Sequence, residues 1–258
     1  TNPFWCNEFT TMTAVPGACR KQAYASLMFG NQMVCGWTWQ SMHNGEEQYL
    51  QGLIDWDGIP NRKYDEYRKI AAEFKKIEPY LPYKPNAEVG LAFSFPSQIV
   101  SYSFPEQHEG QTGTCFKQFF DRNMDITMLD IIHSDLNYKL LIIPGATVMD
   151  PISAKKIRDF VNNGGTVVMT SYSAVVDTTN KVFESTRPGM LNDVFGIRLG
   201  SYEETENMNE ISAISYKGKQ IQVNYKGKNI ESESPRFDVI ESKGADVIGN
   251  ITSLDKNY

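Results

Sequence analysis

Residues Lys139 to Thr170 read KLLIIPGATVMDPISAKKIRDFVNNGGTVVMT. Lys139 to Ile143 is a short apolar run of strand length. Ser153 can cap a helix whose apolar residues Ile157, Phe160 and Val161 recur on one face, and Gly164-Gly165 ends it. Thr166 to Thr170 is a second β-branched run. Strand, helix and strand in that order make a parallel pair joined by a crossover helix. Upstream, the spacing predicts a strand over Ala87 to Phe95, a helix over Cys115 to Arg122 and a strand over Ile126 to Leu129. Residues 86–258 therefore read as an α/β, doubly wound unit. After Gly200 the pattern changes to short alternating runs, among them Ile221 to Tyr225 before the turn-like Lys226-Gly227-Lys228, so β structure is expected there.

Pro79, Pro82 and Pro85 form a stiff connector, because proline fixes φ and biases its predecessor away from helix. The boundary is placed there, with a first domain over residues 1–80. Pro3 to Cys6 reads as a short strand that ends at Asn7-Glu8, and Ala18 to Phe29 as a helix stopped by Gly30. Met33 to Trp39 looks like a strand buried on both faces, followed by the polar loop Gln40 to Glu47. Tyr64 to Ile77 has helical spacing, with Tyr67, Ile70, Ala71 and Phe74 on one side. The first domain thus contains two βα units.

Composition narrows the function classes. Of 258 residues, 41% are hydrophobic and 12% aromatic, enough apolar area for a packed interior. A net charge of −6 offers no basic excess for nucleic acid. The apolar runs are far shorter than the roughly 20 residues of a membrane span. Cys6, Cys19, Cys35 and Cys115 lie far apart without CxxC pairs, so neither a metal site nor a disulfide framework is expected, and no cofactor is implied. Buried reduced thiols are the expectation for three of them. The first residues have no signal-peptide character and read as the middle of something, which suggests a fragment or a processed product.

Glu8 at a strand end invites a catalytic reading, since barrel active sites sit at the C-terminal ends of strands. From spacing alone, a solvated carboxylate describes it equally well. Trp37-Thr38-Trp39-Gln40 and Gly45-Glu46-Glu47-Gln48 put aromatic faces and carboxylates on the next loop, a mixture suited to a sugar. Trp37 itself is expected in the core and Glu46 in solvent. His43 shares that loop and has a weak claim to touch substrate. Ser171 and Ser173, after the strand Thr166 to Thr170, stand where a nucleophile would sit in glutamine-amidotransferase-like folds, although no histidine follows them in the chain.

Taken together, PFWCNEF, PGACRKQAYASLMFGNQMVCGWTWQS, GEEQYLQGLIDWDG and NRKYDEYRKIAAEF resemble the end of the catalytic barrel of family 42 glycoside hydrolases, the β-galactosidases. LLIIPGATVMDPISAKKIRDFVNNGGTVVMTSYSAVVD resembles that family's trimerisation domain. The resemblance implies the last two βα units of a TIM barrel followed by a flavodoxin-like, class I glutamine-amidotransferase-like domain that assembles as a homotrimer. It also implies a retaining hydrolase of β-galactosides or related β-glycosides, with Glu8 as nucleophile and Trp39, Gln40, His43 and Glu47 around the sugar. Gln40 and Leu50 stand where the family usually has Arg and His, and Pro16 near where it has Trp. The family's acid/base Glu follows an Asn after the fourth barrel strand, upstream of Thr1, so the chain alone is expected to be inactive. Its C-terminus is expected to stop short of the family's last strand and helix. A purely assembling or sugar-binding module is the alternative.

Overall fold

The computed structural model describes residues 6–10, 15–81, 86–100, 108–204, 220–233, 236–253 and 256–257. It divides into two compact units, Thr1–Asn86 and Ala87–Tyr258. The first runs β1 (Cys6–Thr10), α1 (Ala18–Met28), β2 (Val34–Trp37) and α2 (Arg62–Ile77), closed by a 3-10 turn at Glu78–Tyr80. β1 and β2 pair in parallel. The expected strand over Pro3 to Cys6 falls mostly outside the described residues. The described strand starts at Cys6 and continues past Glu8, which therefore lies inside it rather than at its end.

The two helices pack against each other by means the spacing only half shows. Gly17, the N-cap of α1, sits at φ 84 and brings no capping side chain. Glu66 of α2 replaces it, accepting from the backbone N–H groups of Arg20 at 3.0 Å and Gly17 at 3.3 Å. A carboxylate at a helix N-terminus satisfies orphan donors and complements the macrodipole. Below it, Glu73 accepts from Arg20 Nε at 2.9 Å and Tyr24 Oη at 2.8 Å. Buried Cys19, Ala23 and Ile70 form the core, with Val34, Tyr67 and Phe74 packed on it. A Cβ at Gly36 would lie 2.5 Å from the Tyr67 phenol oxygen, so the ring would have to shift to admit one.

The second unit contains β3 (Val89–Ala92), α3 (Phe95–Val100), α4 (His108–Phe120), β4 (Ile126–Leu129), β5 (Leu140–Ile143), α5 (Pro151–Asn162), β6 (Thr166–Met169) and α6 (Asn192–Phe195). The four strands pair in parallel in the order β4-β3-β5-β6. That is the flavodoxin-like doubly wound arrangement expected from the sequence. One face carries Ala92, Leu129, Leu141 and Ile143 against Ile157 and Phe160 of α5. The other carries Val89, Leu91 and Ile142 against Phe116 and Phe119 of α4. β7 (Ile197–Glu204) follows, and then β8 (Gln220–Tyr225), β9 (Lys228–Glu233), β10 (Arg236–Ser242), β11 (Gly249–Ser253) and β12 (Lys256–Asn257). β10 pairs antiparallel with β7, and the β8–β9 hairpin turns at Lys226-Gly227, both at positive φ.

Three local expectations change. Asp150, not Ser153, caps α5: its Oδ1 accepts from the N–H groups of Ile152 at 2.8 Å and Ser153 at 2.9 Å, with Pro151 at the first helical position. The strand expected up to Phe95 stops at Ala92, and Phe95 opens a short helix. α4 begins at His108 rather than Cys115, although Gly110 and Gly113 weaken its helix propensity. Tertiary contacts decide this. The His108 ring is fully buried, its Nδ1 lies 2.7 Å from the Pro144 carbonyl, and its Nε2 accepts from Ser94 N–H at 2.9 Å. The accepting Nε2 puts the proton on Nδ1, so the imidazole is neutral and spans the C-terminal ends of β3 and β5.

Burial holds the His108 pKa below its ordinary value, against a smaller opposing effect of the Pro144 carbonyl. An unfolded histidine titrates near about 6.5. Below that pH the unfolded chain takes up a proton that folded His108 resists, so this contribution is complete above about 6.5 and declines as pH falls. Replacing His108 by Gln, which keeps one donor and one acceptor, is expected to flatten the acid limb of stability against pH by up to about 1.4 kcal/mol per pH unit. Urea titrations between pH 7 and 5 check it, and parallel curves for the two proteins would refute it.

Candidate active site

The parallel register fixes where the first unit's functional residues meet. Cys6 pairs with Val34, Phe9 with Gly36 and Thr10 with Trp37. Between the first two pairs the register shifts, so Asn7 and Glu8 on β1 oppose Cys35 alone on β2. Such a bulge bends a strand and re-aims its side chains, and bulges concentrate next to active sites. Both strands run the same way, so the ends of β1 and β2 lie on one rim. From that rim the 38–61 segment rises and carries the other expected residues.

Trp37 is 39% exposed in this chain, where β2 is flanked by β1 alone among the described strands. β2 has one paired neighbour among the described residues, and α1 and α2 leave its C-terminal half open. Trp39 is 62% exposed and meets Tyr64 edge-on at 5.8 Å between centroids. Gln40, His43, Glu46 and Glu47 are exposed. Gln40 forms a parallel bridge with Ile54. The segment is longer than the Gln40 to Glu47 loop expected, because it doubles back and bonds to itself. Leu53 N–H donates to Trp39 O at 2.9 Å, as does Ile54 N–H, and Ser41 N–H donates to Ile54 O at 2.9 Å. The buried Ser41 hydroxyl donates to Ile54 O and accepts from Gly52 N–H, both at 3.0 Å. Gly52 must be glycine, since a Cβ would sit 2.7 Å from the Gln40 carbonyl carbon.

Two residues that sequence reasoning missed hold the segment in place. Trp56 Nε1 donates to Met42 O at 2.8 Å and Gln48 O at 3.0 Å, and these carbonyls flank His43, Glu46 and Glu47. Lys63 is only 5% exposed and donates from Nζ to Gln51 O at 3.0 Å, and burial lowers its pKa. Trp56 stood inside the resembling GEEQYLQGLIDWDG run, but nothing in the spacing says that its indole N–H reaches back eight and fourteen residues.

In the second unit no described hydrogen bond joins either serine candidate to a histidine. Ser173 is buried, its Oγ accepting from Ala146 N–H at 3.1 Å and donating to Ile143 O at 3.3 Å. Ser171 is exposed. His108 has both ring nitrogens engaged by Ser94 and Pro144, and His133 Nδ1 is paired with Asp130 at 2.6 Å. Thr170 Oγ1 accepts from Gly145 N–H and hydrogen-bonds the Gln111 side chain. This end of the sheet is filled with structural hydrogen bonds. Among the described residues, no group of acidic, histidine and cysteine side chains is placed to hold a metal ion. No described helix is long and apolar enough to cross a membrane.

Two family models match the chain. A family model described as beta-galactosidase matches residues 4–77, and one described as beta-galactosidase trimerisation domain matches residues 87–257. Beta-galactosidase BgaB of a Geobacillus species is 23% identical over 188 residues, covering 70% of this chain and 28% of the relative. Beta-galactosidase Pbg of Clostridium perfringens is 23% identical over 243 residues, covering 90% of this chain and 34% of the relative. The chain thus spans about a third or less of the length of these curated relatives. Among solved structures, the β-galactosidase of Bacillus circulans sp. alkalophilus superposes with a TM-score of 0.84 at 20% identity, covering 98% of this chain and 39% of that one. Gan42B of G. stearothermophilus gives 0.82 at 19% identity, covering 96% and 37%. The architecture is therefore α/β, the closing βα units of a TIM barrel followed by a flavodoxin-like domain, and the chain belongs to the family 42 β-galactosidases.

Proposed function

We propose that this chain forms the end of the active site and the assembly domain of a retaining glycoside hydrolase that cleaves terminal β-galactosides or related β-glycosides. In this reading residues 1–80 close the catalytic barrel and residues 86–258 form a homotrimer. Glu8 is the nucleophile, attacking the anomeric carbon as the aglycone leaves, and water later releases the glycosyl-enzyme. The acid/base carboxyl that protonates the leaving oxygen, about 5 to 5.5 Å from the nucleophile in such enzymes, comes from outside this chain. Trp39 offers an exposed indole face to the apolar side of the sugar, while Gln40, His43 and Glu47 meet its hydroxyls.

The supporting observation is the parallel register. Thr10, two residues past Glu8, is level with Trp37, two residues before Trp39, so the Glu8 strand and the Trp39 to Glu47 segment meet on one rim. Hydrolysis of a nitrophenyl β-galactoside by the full protein tests the activity. Glu47→Gln is expected to raise KM by about tenfold to a hundredfold through loss of a charged hydrogen bond to a hydroxyl, with a smaller effect on kcat. Unchanged KM would remove Glu47 from the sugar site.

A further inference from the structure

A cavity of about 480 Å³ opens between the 51–57 segment and the first turn of α2, lined by Gln51, Asp55, Trp56, Asp57, Arg62 and Lys63. That volume lies in the roughly 300 to 1,000 Å³ range of small-ligand pockets. Glu47 is not among its described lining residues. Its walls are fixed by a tight turn: Asp55 N–H donates to Ile59 O at 2.9 Å, Gly58 N–H to Asp55 O at 3.0 Å, and Ile59 N–H to Asp57 Oδ1 at 3.0 Å. Gly58 sits at φ 81, which glycine alone adopts without strain. Asn61 Nδ2 completes the frame by donating to Asp55 Oδ1 at 2.8 Å and Gly52 O at 2.9 Å.

The chemistry of the lining selects a ligand class. Trp56 is 38% exposed, and its N–H is committed to the Met42 and Gln48 carbonyls. What it offers the cavity is the carbon surface of the ring. Asp55 and Asp57 each hold the frame through Oδ1, and carboxylates have further lone pairs for hydroxyl donors. Arg62 is paired with Glu66 at 2.9 Å and Lys63 donates to the Gln51 carbonyl, so the two carboxylates discourage an anion and leave acceptors for hydroxyl donors. An apolar ring face beside carboxylate acceptors suits a polyhydroxylated ring.

We infer that this cavity is a second saccharide subsite, separate from the cleavage site, that binds a neutral β-galactoside unit with Trp56 as its platform and Asp57 accepting from its hydroxyls. The choice of sugar rests on the hydrolase reading above.

The test is a calorimetric titration of the full protein carrying Glu8→Gln with methyl β-galactoside, with inorganic phosphate as the control ligand. Two classes of site are expected. Asp57→Asn, which keeps the Oδ1 acceptor for Ile59 N–H, should weaken one class by about tenfold, and Trp56→Ala should abolish it. Glu47→Gln should weaken only the other. A single class of site insensitive to Asp57→Asn overturns the inference, as does phosphate binding that Asp57→Asn strengthens while the sugar does not compete. Sugar binding that depends on Asp57 in a protein that hydrolyses no galactoside would sink the hydrolase reading and leave this subsite standing.

Discussion

Replacing Glu8 by Gln is expected to lower kcat for an aryl β-galactoside on the order of 10⁴-fold or more, because loss of a nucleophile removes the covalent route altogether. Gln is close to Glu in shape, so strand pairing at the bulge between Cys6 and Phe9 should persist and sugar affinity should change little. The assignment is sharpened by Glu8→Ala with added azide. The small anion can enter the space left by the carboxylate and form an N–C bond to the anomeric carbon as the C–O bond to the aglycone breaks. The product would be the α-galactosyl azide, opposite in configuration to the substrate. Activity of Glu8→Gln within tenfold of the parent would end the assignment. A large loss without azide rescue would make Glu8 a positioning residue instead.

The second large effect is on stability. Leu141→Ala in the full protein is expected to destabilise the second unit by about 3 kcal/mol, within the roughly 2 to 5 kcal/mol range of buried leucine truncations. Leu141 is fully buried on β5, flanked by Gly90 of β3 and Val167 of β6, and it faces the core that α5 covers. Against a net stability of about 5 to 15 kcal/mol for a domain, that is a large fraction. Val168→Ala on edge strand β6, where the side chain is 46% exposed, should change stability far less. Chemical denaturation of both variants checks the contrast, and equal shifts would show that the β5 core is not tightly packed.

How much of this was legible in the sequence follows from the range of the forces involved. Periodicity located the helices Ala18 to Met28, Arg62 to Ile77 and Pro151 to Asn162 to within a few residues, because helical spacing and stop signals such as Gly30 and Gly164 act over one or two turns. The apolar runs of β4, β5 and β6 were equally plain, since each is flanked by turn residues. The sequence also carried the residue types of the proposed sugar site, and the motifs that resemble a known family named the rest. Tertiary structure alone decided that α4 starts at His108, because Ser94 and Pro144, distant in the chain, complete the hydrogen bonding of its buried ring. It alone placed Glu66 at the head of α1 and the Trp56 indole between Met42 and Gln48. Local spacing encodes which segments form; which side chain caps, clamps or stays open is set by partners that only folding brings within hydrogen-bonding distance.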